Sequence, residues 1–404
     1  MNPLLDNQAR AIQKLRQYKV GALFMEPGTG KTRTAYELVK SVSDVDYILW
    51  LTPFQTKQNL REEIEKCGSF TAELEIVGIE SLSNSSRIYL KLMQTLENKI
   101  CPFIICDESL KIKNIAAKRT RRILEIGSKA EYKLILNGTP LSRNMEDLWA
   151  QFEFLSPKIL SMDLRRFTNT FCEWVEKKYR QGGRVFKKSY ITGHHNVKYL
   201  YSLIKHYVYE ADLELDLSDM HISRYYDIDN EHAEEYYRLK NEFLDNTDIN
   251  WKPNFFLEMI TKMQHVYTDS NQKFQILERI LSEYSNDEKV IVFCKFVRSA
   301  EAITLAFPQV TVLTYGKHAY GLNMQDHMAM VFWDKTFDYA QYVQAFHRIY
   351  RTGQKSDVVY YYHLHGNIGL DKMIERNIGK KQGLLNAFKS CSVEEMKKQL
   401  AEEL

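Results

Sequence analysis

Val20-Gly21-Ala22-Leu23-Phe24-Met25-Glu26-Pro27-Gly28-Thr29-Gly30-Lys31-Thr32 is the stretch whose reading decides the fold. Its first five residues read as a short buried strand, Gly28-Thr29-Gly30 as a turn, and Lys31 as the opening of a helix. Strand, glycine turn and helix in that order are the context of a phosphate-binding loop. Glycines let successive backbone N–H groups close around phosphate, and the helix N-terminus adds its partial positive charge. Lys31 is placed to reach β- and γ-phosphates, and the Thr32 hydroxyl to ligate Mg²⁺. The strict pattern has glycine where this chain has Met25. Gly28, Thr29, Gly30, Lys31 and Thr32 are therefore the expected nucleotide-binding residues.

Working outward, strand-sized apolar runs recur at 47–51, 74–77, 103–106 and 134–136, separated by helix-like segments such as 56–67 and 85–98. Strands alternating with helices predict right-handed βαβ units and a parallel sheet. From 145 to about 265 the pattern becomes long, charged and mostly helical, interrupted by the turn Gln181-Gly182-Gly183. Strand candidates return at 290–293, 310–314, 328–332 and 358–363, and 369–404 reads as helix. The predicted organisation is α/β, helical insertion, α/β and helical tail.

Composition sets the bounds. At 404 residues the chain exceeds the size at which one core usually stops growing. An apolar fraction of 44% with 26% charged residues is that of an ordinary globular protein. The net charge of +3 is too small to argue for nucleic acid, but its distribution says more. Lys111, Lys113, Lys118, Arg119, Arg121 and Arg122 crowd one stretch without an acid among them, and Lys177, Lys178, Arg180, Arg184, Lys187 and Lys188 surround Gly182-Gly183. The six cysteines form no CxxC pair, and His194-His195 and His363/His365 lack companion ligands at metal-binding spacing. No apolar run approaches membrane-spanning length and the first twenty residues do not read as a signal peptide, so a cytoplasmic protein with no membrane partner is expected.

Pro102-Phe103-Ile104-Ile105-Cys106 is a buried-strand pattern that ends in Asp107-Glu108. Such a strand beside a phosphate loop delivers one carboxylate to hold Mg²⁺, Asp107, and another to orient and deprotonate the attacking water, Glu108. Residues Asp107-Glu108-Ser109-Leu110-Lys111-Ile112-Lys113-Asn114 resemble the corresponding element of the Swi/Snf-like double-stranded DNA translocases, within the second helicase superfamily. Leu110 stands where that family usually has histidine. Asn137-Gly138-Thr139-Pro140-Leu141 resembles its TGTP motif, with Asn137 replacing the first threonine, and Leu51-Thr52-Pro53 resembles its motif at the nucleic-acid backbone.

The resemblance continues to about Lys381. Tyr315-Gly316 and Gly321-Leu322-Asn323-Met324 are similar to the GxGLNL element, and Gln344-Ala345-Phe346-His347-Arg348-Ile349-Tyr350-Arg351-Thr352-Gly353-Gln354 matches QxxxRxxRxGQ. Arg348 and Arg351, three apart, share a face if helical. A planar, permanently charged guanidinium suits the charge of a transferring phosphoryl group. Gln8 resembles the adenine-reading glutamine of the superfamily. Between Phe293 and Thr314 the chain is shorter than the family's pattern, and its compact length is closer to viral or bacterial members.

The resemblance implies two RecA-like lobes: an ATP-binding lobe over 1–155, a helical and basic insertion over 156–218, a second lobe with a helical lead-in over 219–368, and a tail over 369–404. It implies an ATP hydrolase, with ATP and Mg²⁺ as cofactors, that translocates on double-stranded DNA by hydrolysis at the cleft between lobes. Lys31, Asp107, Glu108, Arg348 and Arg351 are the expected catalytic residues. Gln8, Gly321 and Gln344 join the loop in holding nucleotide, Thr32 and Asp107 hold the metal, and Thr52, Pro53, Lys113, Asn114, Thr314 and Asn323 meet nucleic acid. Two rivals stand beside it: a strand-separating DNA or RNA helicase of the same superfamily, and an ATP-gated DNA clamp with weak motor activity.

Overall fold

The computed structural model describes residues 3–138, 145–181, 184–213, 217–245, 253–285, 289–315, 324–351 and 353–379. It divides into two compact units, one of Met1–Val175 with Ile191–Glu214, the other of Glu176–Tyr190 with Leu215–Leu404. The segment expected as a separate insertion is shared between them.

The first unit is built on strands β1 (Val20–Met25), β2 (Tyr47–Thr52), β3 (Glu73–Gly78), β4 (Pro102–Cys106) and β5 (Tyr132–Asn137), which follow the apolar runs of the sequence. With β8 (Val208–Ala211) they form one sheet in the order β3-β2-β4-β5-β1-β8, parallel at every pairing. All six residues of β2 are buried, the signature of a strand covered on both faces. One face packs under Leu92, Ile123, Phe152 and Phe167; the other packs under Ala11, Tyr36, Leu60 and Ile64. Helices on both faces of a parallel sheet satisfy every strand's apolar side chains at once.

The second unit holds β9 (Ser218–Tyr226), β10 (Lys289–Cys294), β11 (Thr311–Thr314), β12 (His327–Phe332) and β13 (Val358–Gly366), in the order β11-β10-β12-β13-β9 and again parallel throughout. These are the two RecA-like lobes of an α/β protein. Its core carries Lys273, whose ammonium pairs with Asp334 at 3.3 Å and bonds the Thr268 carbonyl at 2.8 Å. Both side chains are almost wholly buried, and such a buried charge persists only with its partners in place.

Four strands were not expected: β8, β9 and the two strands of a ribbon. β8 and β9 are short or charged and lack a continuous apolar run. The third departure is Cys172–Gln181 (β6) with Arg184–His194 (β7), which pair as a two-stranded ribbon where helix was predicted. Trp174, Val175, Tyr179, Val185, Phe186, Tyr190 and Ile191 favour strand on either side of Gly182-Gly183, and two glycines between such runs are a hairpin signal that outweighs the charge pattern. Of the expected tail, Gly369–Gly379 is helix; residues 380–404 lie outside the described residues.

Candidate nucleotide site

The phosphate loop leaves β1 and enters the helix Lys31–Lys40. Gly28 and Gly30 adopt φ of 92° and 82°, the left-handed region where a side chain costs most. The N-cap Gly30 supplies no side-chain cap to that helix, and a helix N-terminus that follows a glycine turn suits a phosphate. Lys31 folds back over the loop, its ammonium donating to the Met25 and Glu26 carbonyls at 2.8 and 3.1 Å. Thr29 is fully buried and donates to the Glu26 carbonyl at 2.7 Å.

Gln8 is locked against this loop. Its Nε2 donates to the Thr29 carbonyl at 3.1 Å, and its Oε1 accepts from the Leu5 amide at 3.1 Å. A Cβ on Gly30 would run into that Nε2, so a side chain there must displace the glutamine amide besides bearing the left-handed φ. The neighbouring Asn7 Oδ1 is buried without a hydrogen-bond partner among the described residues, a polar atom to which a base edge would supply a donor.

Asp107 and Glu108 emerge at the end of β4, with β5 between that strand and β1. The Asp107 amide bonds the Leu51 carbonyl at 2.7 Å, and its carboxylate accepts from the Glu108 amide at 2.9 Å and the Thr52 hydroxyl at 3.3 Å. Burial, then the charge of Glu108, push the Asp107 carboxyl up from its ordinary range, while the Lys31 ammonium pulls it back down. The lysine and the carboxylate therefore act on each other electrostatically. Glu108 takes a left-handed backbone, φ 47° and ψ 52°, a strained conformation for a residue other than glycine, of the kind that clusters at functional sites. Gly138, following β5, closes the floor: a Cβ there would lie 3.3 Å from Pro27 and 3.7 Å from the Lys31 ammonium.

The donor set fits a nucleoside triphosphate with a divalent cation. It offers a helix N-terminus, one ammonium, the Thr32 hydroxyl and a pair of carboxylates on a single sheet.

Thr52 and Pro53 are both buried, and the Thr52 hydroxyl is engaged by Thr56 at 2.8 Å and by Asp107. Thr52 thus serves the carboxylate, and the residues that face solvent after β2 are Phe54 and Gln55. The sequence reading missed Phe54, an exposed aromatic with the Lys57 ammonium 5.8 Å over its ring. Lys113 is half-exposed and pairs with Asp147 at 3.1 Å; Asn114 is exposed, its side chain accepting from the Ala116 amide. The basic stretch around them divides. Arg122 turns inward onto the Leu82 and Ser85 carbonyls, and Arg119 onto the Lys111 carbonyl, whereas Lys113, Lys118 and Arg121 face solvent.

In the second unit, Gln344 lies in the helix Tyr339–Phe346. Arg348 and Arg351 fall beyond its end, in consecutive turns, so the shared helical face expected of them does not form. The turns are held by Gln354. Its Nε2 donates to the His327 and Ile349 carbonyls, both at 2.9 Å, and its Oε1 accepts from the Lys355 and Ser356 amides. Gly353 has φ 89°. The glycine–glutamine pair shapes the backbone that follows the helix, and a three-residue spacing cannot reveal that. Thr314 ends β11 opposite Cys294. Gly321 and Asn323 lie outside the described residues, as do Thr139 to Leu141. Among the described residues, no helix is long and apolar enough to cross a membrane.

Parts of this chain are similar to known proteins. Helicase swr1 of Schizosaccharomyces pombe is 33% identical over 95 residues, 23% of this chain and 7% of that protein. An uncharacterised ATP-dependent helicase of Mycoplasma genitalium is 23% identical over 449 aligned positions, 94% of this chain and 42% of its own length. The chain thus spans less than half of either relative. A solved structure, the Sulfolobus solfataricus SWI2/SNF2 ATPase core in complex with dsDNA, aligns over 100% of this chain and 96% of that one at 17% identity, with a TM-score of 0.44. The SNF2-related domain matches residues 51–290, more than half of the chain, which belongs to that family.

Proposed function

We propose that this chain is a DNA-dependent ATPase that translocates on double-stranded DNA. The observation that carries the reading is the loop itself: Gly28 and Gly30 take left-handed backbones ahead of a helix that opens on Lys31, on the sheet whose β4 leads into Asp107 and Glu108. An ammonium and two carboxylates beside a helix N-terminus suit a metal-bound triphosphate.

ATP supplies the transferable phosphoryl group and Mg²⁺ neutralises its charge. Lys31 would bind the phosphates, Thr32 and Asp107 would hold the cation, Glu108 would orient water and accept its proton, and Gln8 would read the base. Arg348 and Arg351 are assigned to the γ-phosphate by their motif, and Gln344, Gly321, Thr314 and Asn323 to nucleotide and nucleic acid by theirs. Duplex DNA is favoured as the partner by the Ile112-Lys113-Asn114 element and by the outward-facing Lys113, Lys118 and Arg121. These cations suit phosphate positioning, a contact that carries no sequence information.

ATP turnover with duplex DNA, single-stranded DNA or RNA tests the proposal, together with displacement of a third strand from a triplex. Strong stimulation by duplex DNA with triplex displacement is expected. Stimulation by single strands or RNA alone would establish the strand-separating alternative, and duplex binding without displacement would establish a clamp.

A further inference from the structure

Glu146, Cys172 and His194 are remote in sequence, but one ligand atom of each lies within 4.8 Å of the other two. Glu146 sits on the single turn Met145–Asp147, Cys172 is the first residue of β6 and His194 the last of β7. All three belong to the first unit. Two backbone ties hold the strand ends together there. The His195 amide bonds the Phe171 carbonyl at 3.0 Å, and the Asn196 side chain bonds the Thr170 carbonyl at 2.9 Å. The thiol is buried, whereas the imidazole and carboxylate, 2.9 Å apart, keep 22% and 30% of their side-chain surface. A closed inner ligand with two partly open outer ones leaves an entry path and room for a solvent ligand.

We propose that Glu146, Cys172 and His194 form a binding site for a divalent transition metal of the zinc class, which fastens the foot of the β6–β7 ribbon to the first unit. One sulfur, one imidazole nitrogen and one carboxylate oxygen are a borderline-soft set, suited to Zn²⁺ and unsuited to Mg²⁺ or Ca²⁺, which take oxygen. Zinc–ligand distances of about 2.0–2.3 Å lie within reach of side chains already this close, with water as the fourth ligand. Binding replaces the S–H bond of Cys172 by a metal–thiolate bond and releases that proton to solvent, with no change of oxidation state. The site shares no residue with the nucleotide site. Cysteine and histidine spacing did not show it, because the turn, the helix Leu164–Phe171 and the ribbon bring the ligands together only in three dimensions.

The test uses the full chain without nucleotide, stripped by a chelator and titrated with Co²⁺ as a spectroscopic probe. One equivalent should bind with a thiolate-to-cobalt charge-transfer band, and added Zn²⁺ should displace it and raise the unfolding temperature. Cys172→Ser should lose the band, His194→Gln should weaken binding at least about tenfold, and Cys67→Ser should leave both unchanged. His194 is partly exposed, so its variant keeps the test decisive if Cys172→Ser fails to fold. A wild-type chain with no stoichiometric band, a band that survives in Cys172→Ser, or unaltered affinity in His194→Gln would each overturn the proposal.

Discussion

Gln8 crosses twenty-one positions of sequence to donate to the Thr29 carbonyl at 3.1 Å, and it occupies the space where a Gly30 side chain would begin. Two separate restraints therefore act on Gly30. Gly30→Ala meets both a left-handed φ and the glutamine amide. It should destabilise the protein by about 1–3 kcal/mol for the backbone alone, with more for the collision. Combining it with Gln8→Ala should recover the collision and leave the backbone cost, which a double-mutant cycle of denaturant unfolding measures. Strict additivity would show that the glutamine is not where the structure places it.

Lys31→Ala should abolish ATP turnover while DNA binding stays near normal, because the residue faces its own loop carbonyls and Asp107. Arg351→Ala should lower turnover by roughly 10³ or more if it meets the γ-phosphate. Turnover assays paired with duplex-binding titrations decide both, and near-normal turnover in Lys31→Ala would refute the ATPase assignment.

Gln354 separates position from chemistry in the same turn. It bonds two carbonyls and two amides, so Gln354→Leu leaves several backbone groups unmet. It should cost about 1–3 kcal/mol in urea unfolding. Unchanged urea unfolding in Gln354→Leu would show that this amide does not hold the turn.

Lys295 supplies a pH signature in the second unit. Its ammonium donates to Gln264 Oε1 at 2.8 Å and sits 3.0 Å over the Phe337 ring. Burial pushes its pKa down to about 7, against a raising contribution from Asp334. The unfolded chain holds this proton up to the ordinary value near 10.5. Between the two values the unfolded state therefore binds more protons, and stability from this group rises with pH; below about 7 its full cost is present. Lys295→Met should flatten that rise in unfolding curves taken across the interval. An unchanged slope would show that the amine is not held neutral.

The phosphate loop and the acidic strand were legible because each is local: a run of apolar residues, then glycines or carboxylates at its end. Lobe by lobe, the apolar runs gave the central strands of both sheets. The ribbon β6–β7 was misread although its strand-favouring residues flank Gly182-Gly183, because its charges imitate a solvated helix. Arg348 and Arg351 matched their motif in spacing, but the helix ends at Phe346, before either of them, which no periodicity reports.

What the chain determined by itself was the alternation of strands and helices and the two chemical motifs of the first lobe, because neighbouring residues suffice to write a phosphate loop or a buried strand. Tertiary structure alone decided that Thr52 serves Asp107 rather than solvent, that Gln8 closes on Gly30, and that Glu146, Cys172 and His194 meet. Those relationships depend on strand order and on burial, properties of the sheet as a whole, and no single segment encodes them.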